Sequence, residues 1–166
     1  MNVWSEKNHV ANVVIPVADA WAGGTQSHVV NMKNYKKCTF IVATGVSAAD
    51  TDGIITVQAG VSHASCAIDI VFKYRTQIAA IPDAAGSDIA TTLTDATTSG
   101  FSMTAAKGGG VYIIEVDAAI VAAGISGGDH CSVTVTEATS GAQTGCILAI
   151  LSEPRYPQDI LATVMD

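Results

Sequence analysis

Residues 68–75 read I-D-I-V-F-K-Y-R, and that stretch sets the fold class. Ile68, Ile70, Phe72 and Tyr74 fall on one side of an extended chain, with Asp69, Val71, Lys73 and Arg75 on the other. Successive side chains of a strand point to opposite faces, so this pattern predicts a strand with one face on a core. Working outward, Val111–Val116 sets Tyr112, Ile114 and Val116 against Val111, Ile113 and Glu115. Cys131–Thr136 sets Cys131, Val133 and Val135 against Ser132, Thr134 and Thr136. Further strands are expected at Val13–Val17, with Pro16 near its edge, and at Ser27–Met32, Cys38–Thr44, Ile54–Ala59 and Phe101–Thr104. Cys146–Leu151 is apolar on both faces and is expected to lie centrally or under a neighbour. About eight or nine short strands between Gly, Asp, Asn and Thr turns predict an all-β fold: a two-sheet antiparallel sandwich, jelly-roll-like.

Asp117–Ala123, D-A-A-I-V-A-A, is the one helical segment expected, with Asp117 as its N-cap and Gly124 behind it. Thr76–Ser99 is rich in Ala, Thr, Asp and Gly, carries Pro82 and has no sustained period, so it reads as a long loop. The expected organisation is a single domain over 1–166, with an N-terminal arm at 1–12, the loop at 76–99 and a C-terminal tail at 156–166. The tail's apolar D-I-L-A-T-V-M is too short for an independent helix and is expected to dock on a neighbour.

Composition narrows the function. Of 166 residues, 49% are hydrophobic, 14% charged and 5% aromatic, with a net charge of −7. A chain of this length buries enough surface to fold without metal or disulfide. No run of about 18 apolar residues is present, since Glu115 and Asp117 interrupt the longest, so no membrane partner is expected. Met1–His9 lacks the charged-then-apolar order of a secretion signal, which points to synthesis in the cytoplasm. Soluble domains carry about 25% charged residues. Here 26 Ala and 17 Thr stand in their place, small side chains that another chain can cover as easily as water can. Residues 1–82 hold six of the eight basic residues, and residues 83–166 hold ten of the fifteen acidic ones. The only basic cluster, Lys33, Lys36 and Lys37, is expected on a turn and is too small for a nucleic-acid surface.

Catalytic patterns are weak. His9, His28, His63 and His130 lie in unrelated contexts, and Ser27-His28 and Ser62-His63 are neighbours whose side chains diverge on a strand. Lys107-Gly108-Gly109-Gly110 leads into a strand and lacks the strand-loop-helix setting of a phosphate loop. Glu115 and Asp117 share a strand face and could hold a cation, but no other oxygen ligands are patterned beside them. Cys38, Cys66, Cys131 and Cys146 show no C-x-x-C spacing, so no zinc site is expected and the thiols read as small hydrophobes. A disulfide in an extracellular particle is the alternative. No cofactor, metal or enzymatic activity is expected.

Five stretches carry a resemblance: V-V-I-P-V-A-D-A-W-A-G (Val13–Gly23), V-V-N-M-K-N-Y (Val29–Tyr35), F-K-Y-R (Phe72–Arg75), Y-I-I-E-V-D (Tyr112–Asp117) and I-L-A-I-L-S-E-P-R-Y-P (Ile147–Pro157). Together they resemble small structural proteins of tailed-bacteriophage and prophage virions, of the head decoration or cement type. The resemblance implies a β-rich, non-enzymatic subunit that is made in the host cytoplasm and ends on the capsid surface. Its partners would be the major capsid protein lattice and its own copies, as a trimer or dimer. Candidate contact residues are Trp4, Trp21, Lys33, Lys36, Lys37, Tyr156, Ile160 and Leu161, since aromatics in arms are enriched among binding hot spots. Trp21 reads equally well as a core residue. A tail or connector component, or a carbohydrate-binding β-sandwich module, are the alternative functions.

Overall fold

The computed structural model of the chain describes residues 3–47, 53–78, 89–103, 109–137, 142–156 and 164–165. Twelve strands are described: β1 (His9–Val17), β2 (Thr25–Gln26), β3 (Val30–Asn31), β4 (Tyr35–Ser47), β5 (Gly53–Gly60), β6 (Ile68–Ile70), β7 (Phe72–Ile78), β8 (Thr94–Ala96), β9 (Phe101–Met103), β10 (Gly110–Asp117), β11 (His130–Glu137) and β12 (Gln143–Pro154). Two helices accompany them, α1 (Trp4–Lys7) and α2 (Ala118–Gly124).

Sheet A runs β1-β12-β4-β10-β7-β8 and sheet B runs β2-β11-β5-β6, with β3 also on β11 and β9 also on β5, every pair antiparallel. The first half of the chain pairs with the second in reverse order: β1 with β12, β2 and β3 with β11, β4 with β10, β5 with β6. Such a folded-back ribbon, wrapped so that successive pairs fall in alternate sheets, is a jelly roll. The all-β sandwich expected from the period of two is therefore the fold observed.

Burial follows the period. On sheet A, Phe40, Val42, Ile114, Ile147, Ala149 and Leu151 are fully buried; on sheet B, Ile55, Val57, Cys131, Val133 and Val135 are too. Between the sheets, Phe101 of β9 stacks on Tyr74 of β7 with centroids 3.9 Å apart, and Phe72 and Tyr112 complete the aromatic cluster. Four of nine aromatic residues are spent there.

Several expected elements differ. The Ile68–Tyr74 stretch is two strands in different sheets, broken at Val71. Ile70 and Phe72 stay on the core while Ile68 is 44% exposed. A chain turning a sandwich corner keeps the same side inward, so the period survives the switch. Of the expected strand Ser27–Met32 only Val30–Asn31 forms one, β3, and β2 ends before it at Gln26, because the Ser27 hydroxyl accepts from the Val133 N–H and His28 N–H turns to Val13 O on the other sheet. The expected loop at 76–99 contributes Thr76–Ile78 to β7 and Thr94–Ala96 to β8; residues 79–88 lie outside those described. Of the expected arm at 1–12, His9–Asn12 is strand and pairs with Leu148–Leu151 of β12. At Gly100, which ends the turn from β8 to β9, φ is +73° and an added Cβ would sit 2.0 Å from Ile55 O, so only glycine fits.

The tail also departs from its expected docking on a neighbour. Val164 is buried in the chain's own core, its carbonyl accepts from Asn31 N–H at 2.7 Å, and Met165 bridges to Val30 of β3. The strand β12 ends in sheet A, so the chain end returns to sheet B. Removing residues 164–166 is expected to lower the unfolding free energy by about 2 kcal/mol, from lost apolar burial and one hydrogen bond. A urea midpoint unchanged from the full chain would contradict this seating.

Candidate docking face

Outward from sheet A the period of two places a second apolar layer. Cys146, Ala43 and Val111 are cross-strand neighbours on β12, β4 and β10; Leu148, Ile41 and Ile113 form the next row; Ile150 heads the third, beside Val10 of β1. None of these eight belongs to the core cluster, and all are partly exposed, Val10 at 47%. Strands about 4.8 Å apart and same-face residues about 6.8 Å apart make this patch roughly 400 Å². That is as large as the largest apolar patch on a typical monomer and about half of one side of a standard protein interface.

One end of this face is edged by charge of alternating sign from strand to strand: Glu153 on β12, Lys37 on β4, Asp117 and Glu115 on β10, Lys73 on β7, Asp95 on β8. Lys37 Nζ meets Glu153 Oε1 at 2.9 Å and Lys73 pairs with Asp95. The Glu153 carboxylate, by hydrogen bond and then by charge, holds the Lys37 ammonium above its ordinary value. Two of the four carboxylates are paired with the two lysines, so this edge keeps a net charge of about −2, from Glu115 and Asp117. A groove of about 350 Å³ opens here between Lys37, Lys73, Glu115 and Asp117 over Val116 and Ile120. The expected cation pair is not free in it: Asp117 Oδ1 caps α2 by accepting from Ala119 N–H at 2.7 Å. Among the described residues no three His, Cys, Asp or Glu side chains converge as a metal would require.

The structure gathers some of the expected contact residues and separates others. Trp4 (57% exposed) precedes β1 on α1, which packs beside β1 and β12, and Tyr156 (67% exposed) follows β12. Since β1 and β12 are antiparallel, the two rings stand at the same end of sheet A, with Lys36 and Lys37 exposed at the start of β4. Only Lys33 lies on the turn, where its N–H donates to Asn31 Oδ1; Lys36 and Lys37 are strand residues, which corrects the expected lysine turn. Trp21 is buried, its indole seated where a Cβ on Gly145 would lie 2.3 Å from Cζ2, so it is a core residue and not an external anchor. Ile160 and Leu161 lie outside the described residues. The apolar outer rows were legible in the sequence as Ile113, Leu148 and Ile150, but only strand order makes them neighbours.

The opposite face, outside sheet B, is mainly polar, with exposed Asp69 of β6 beside Gln58 and exposed Ile54 on β5. Gln26 Nε2 reaches Gln58 Oε1, Ser132 Oγ and the Cys66 carbonyl at 2.8–3.1 Å, and the Thr134 hydroxyl donates to Gln58 Oε1. The Cys66 thiol lies against Gln58 O and Ser132 Oγ. Burial pushes it up to about 11 from an ordinary value near 9, the Ser132 hydrogen bond pulling the other way, so thiolate is scarce at neutral pH. The histidines stay apart: His9 edges Tyr35, His63 lies in the short turn before β6, His130 Nδ1 meets Asp129 at 2.5 Å, and the Ser27 hydroxyl donates to a backbone carbonyl, not an imidazole. The helices described are too short to cross a membrane.

Comparison with protein-family models, with curated proteins and with solved structures finds no match to this chain. The Cys66 environment has a measurable sign. A thiol raised on folding favours the native state fully below pH 9 and loses that contribution as the unfolded chain ionises first, between pH 9 and 11. Across that window Cys66→Ala is expected to lose about 2 kcal/mol less stability than the parent in urea titrations. Parallel losses would show the thiol is not so shifted.

Proposed function

We propose that this protein is a non-enzymatic structural subunit of a tailed-phage virion head, added to the major capsid protein lattice as decoration or cement. The observation that carries the reading is the apolar outer face of sheet A, Ile41, Val111, Ile113, Cys146, Leu148 and Ile150, partly exposed and with charged residues at one end. The largest apolar patch of a monomer is often a functional one, and a subunit of an assembly would hide it. The resemblance to virion proteins and the scarcity of charged residues support the same reading.

The size of the face argues for many weak seats. Roughly 400 Å² is too little for a tight one-to-one complex, but copies arrayed on a lattice, touching both shell and one another, gain by multivalency. The exposed Trp4 and Tyr156 at one end of sheet A supply the aromatic contacts that such a seat uses. A subunit that binds only the expanded lattice adds its binding free energy to that state, copy after copy, and so resists the pressure of packed DNA. A tail or connector position would use the same face. A carbohydrate-binding module would instead use the polar face of Gln26, Gln58 and Thr134.

The test is co-sedimentation with expanded and unexpanded empty capsids of the phage that encodes the chain. Binding to expanded shells is expected, largely unchanged from about 50 to 500 mM salt because the apolar rows that make the contact carry no charge. Ile113→Glu and Leu148→Glu are each expected to weaken it at least tenfold while leaving the circular-dichroism spectrum intact, since neither side chain touches the core. Full binding by both variants, or none by the parent protein, would sink the proposal.

A further inference from the structure

The outer face of sheet A has a direction. Where β10 runs into α2, the ladder reads Lys73, Glu115, Thr39 and Ile150 across β7, β10, β4 and β12. At the other end the opposed residues are Ile78, Gly110 and Thr44, then Ser47 and Gln143, none of them charged. Apolar rows alone let a partner settle either way round, whereas charge at one end does not. The cations at the charged end are already engaged. Lys37 Nζ lies 2.9 Å from Glu153 Oε1, and Lys73 gives its ammonium to Asp95, its opposite on β8. Arg75, beside Ile113, turns Nη1 to the Thr91 carbonyl at 3.1 Å. Asp117 spends Oδ1 on the Ala119 N–H, and Glu115 is exposed with no ion-pair partner among the described residues. Both carboxylates line the groove of about 350 Å³ over Val116 and Ile120. Glu115 lies two residues from Ile113 on the same side of β10, about 6.8 Å along the strand, so the groove continues the apolar rows.

We infer that this groove receives one basic side chain, Lys or Arg, from the chain segment that covers the apolar rows, and that its pairing with Glu115, beside Asp117, fixes which way round the subunit lies. The segment that supplies it is the partner of the proposed docking, so the inference rests on that reading. Charge complementarity chooses the occupant. An acidic segment would meet two carboxylates whose neighbouring lysines are already paired, and a wholly apolar one would bury the Glu115 carboxylate without a partner, at a desolvation cost.

The fitting segment carries its Lys or Arg about 7 Å from an apolar side chain, the separation of every second residue on an extended chain. The alkyl stem of such a side chain lies along Ile120 while its charged head meets the carboxylate. An exposed pair of this kind contributes about threefold in affinity. That is enough to bias orientation without governing affinity, so the response of the whole contact to salt stays small.

Two measurements on the full chain separate this site from the docking it serves. The first needs no capsid: the isotope-labelled protein is titrated by NMR with n-butylguanidinium, and with butyrate as the opposite charge on a similar stem. Saturable shifts at Glu115, Val116 and Ile120 are expected with the cation, weakened in Glu115→Gln, and none there with butyrate. No shifts at the groove, or an equal response to butyrate, overturns the inference. The second repeats the co-sedimentation with expanded capsids. Glu115→Gln is expected to weaken binding about threefold and Glu115→Lys roughly tenfold or more, with the circular-dichroism spectrum intact. Asp69→Asn, outside sheet B, is expected to bind as the parent does. Parent-level binding by Glu115→Lys, with Ile113→Glu and Leu148→Glu still impaired, overturns the inference and leaves the docking standing. Absence of binding by the parent sinks the docking, and the titration then decides the groove by itself.

Discussion

The antiparallel ladder between β4 and β12 is the contact on which the rest of the molecule depends. It runs from Tyr35 opposite Pro154 to Ser47 opposite Gln143, joining segments about a hundred residues apart, and it lies inside sheet A with β1 and β10 on its flanks. Without it the β1·β12 ribbon and the β4·β10 ribbon would be separate hairpins, each with one bare edge. Its inward residues pair large with small, Phe40 opposite Ala149 and Val42 opposite Ile147, which lets the sheet-B side chains interdigitate. Its outward residues are Ile41 opposite Leu148 and Ala43 opposite Cys146, the centre of the exposed apolar face. One strand pair thus supplies the core, the buried Cys38 and the docking surface.

Much of this was legible because β-branched residues at every second position mean the same thing wherever they occur. The strands around Tyr112–Val116 and Cys131–Thr136, the cap at Asp117 and the sandwich class all follow from local pattern. What local pattern omits is which sheet a strand joins. Ile68–Tyr74 keeps one unbroken period while its halves pair with β5 in one sheet and β10 in the other, since a corner leaves the inward side unchanged. Trp21 read equally well as an anchor or a core residue because the space that receives it is made by Gly145, far along the chain. The tail looked like an arm because nothing near Val164 tells of β3. In each instance the deciding partner is remote in sequence.

The docking face was half readable for the same reason. Ile113, Leu148 and Ile150 are visible as apolar residues on the wrong side of their strands, but only the order β12-β4-β10 turns three singletons into adjoining rows. The alternating charges beside them could not be paired from sequence either, because Lys37 meets Glu153 and Lys73 meets Asp95 across strand order. Net charge alone would have suggested an acidic protein seeking a basic partner. The geometry gives an apolar field with partly paired charges at one end, so its centre selects for fit and not for charge.

The two broad faces of the sandwich differ in kind, and that difference orients the molecule. Outside sheet B, Gln26, Gln58, Ser132 and Thr134 use their hydrogen-bonding groups on each other, leaving a wet, polar surface with Asp69 as a charge beside Gln58. Outside sheet A the side chains have nothing to bond and lose free energy only by being covered. Were the proposed docking to occur, sheet A would face the larger surface and sheet B solvent, with Trp4 and Tyr156 at one end of the contact. Edge-to-edge polymerisation is meanwhile discouraged, since the edge strand β1 departs from regular pairing twice and carries Pro16 within it. An irregular edge of this kind disfavours growth by strand addition.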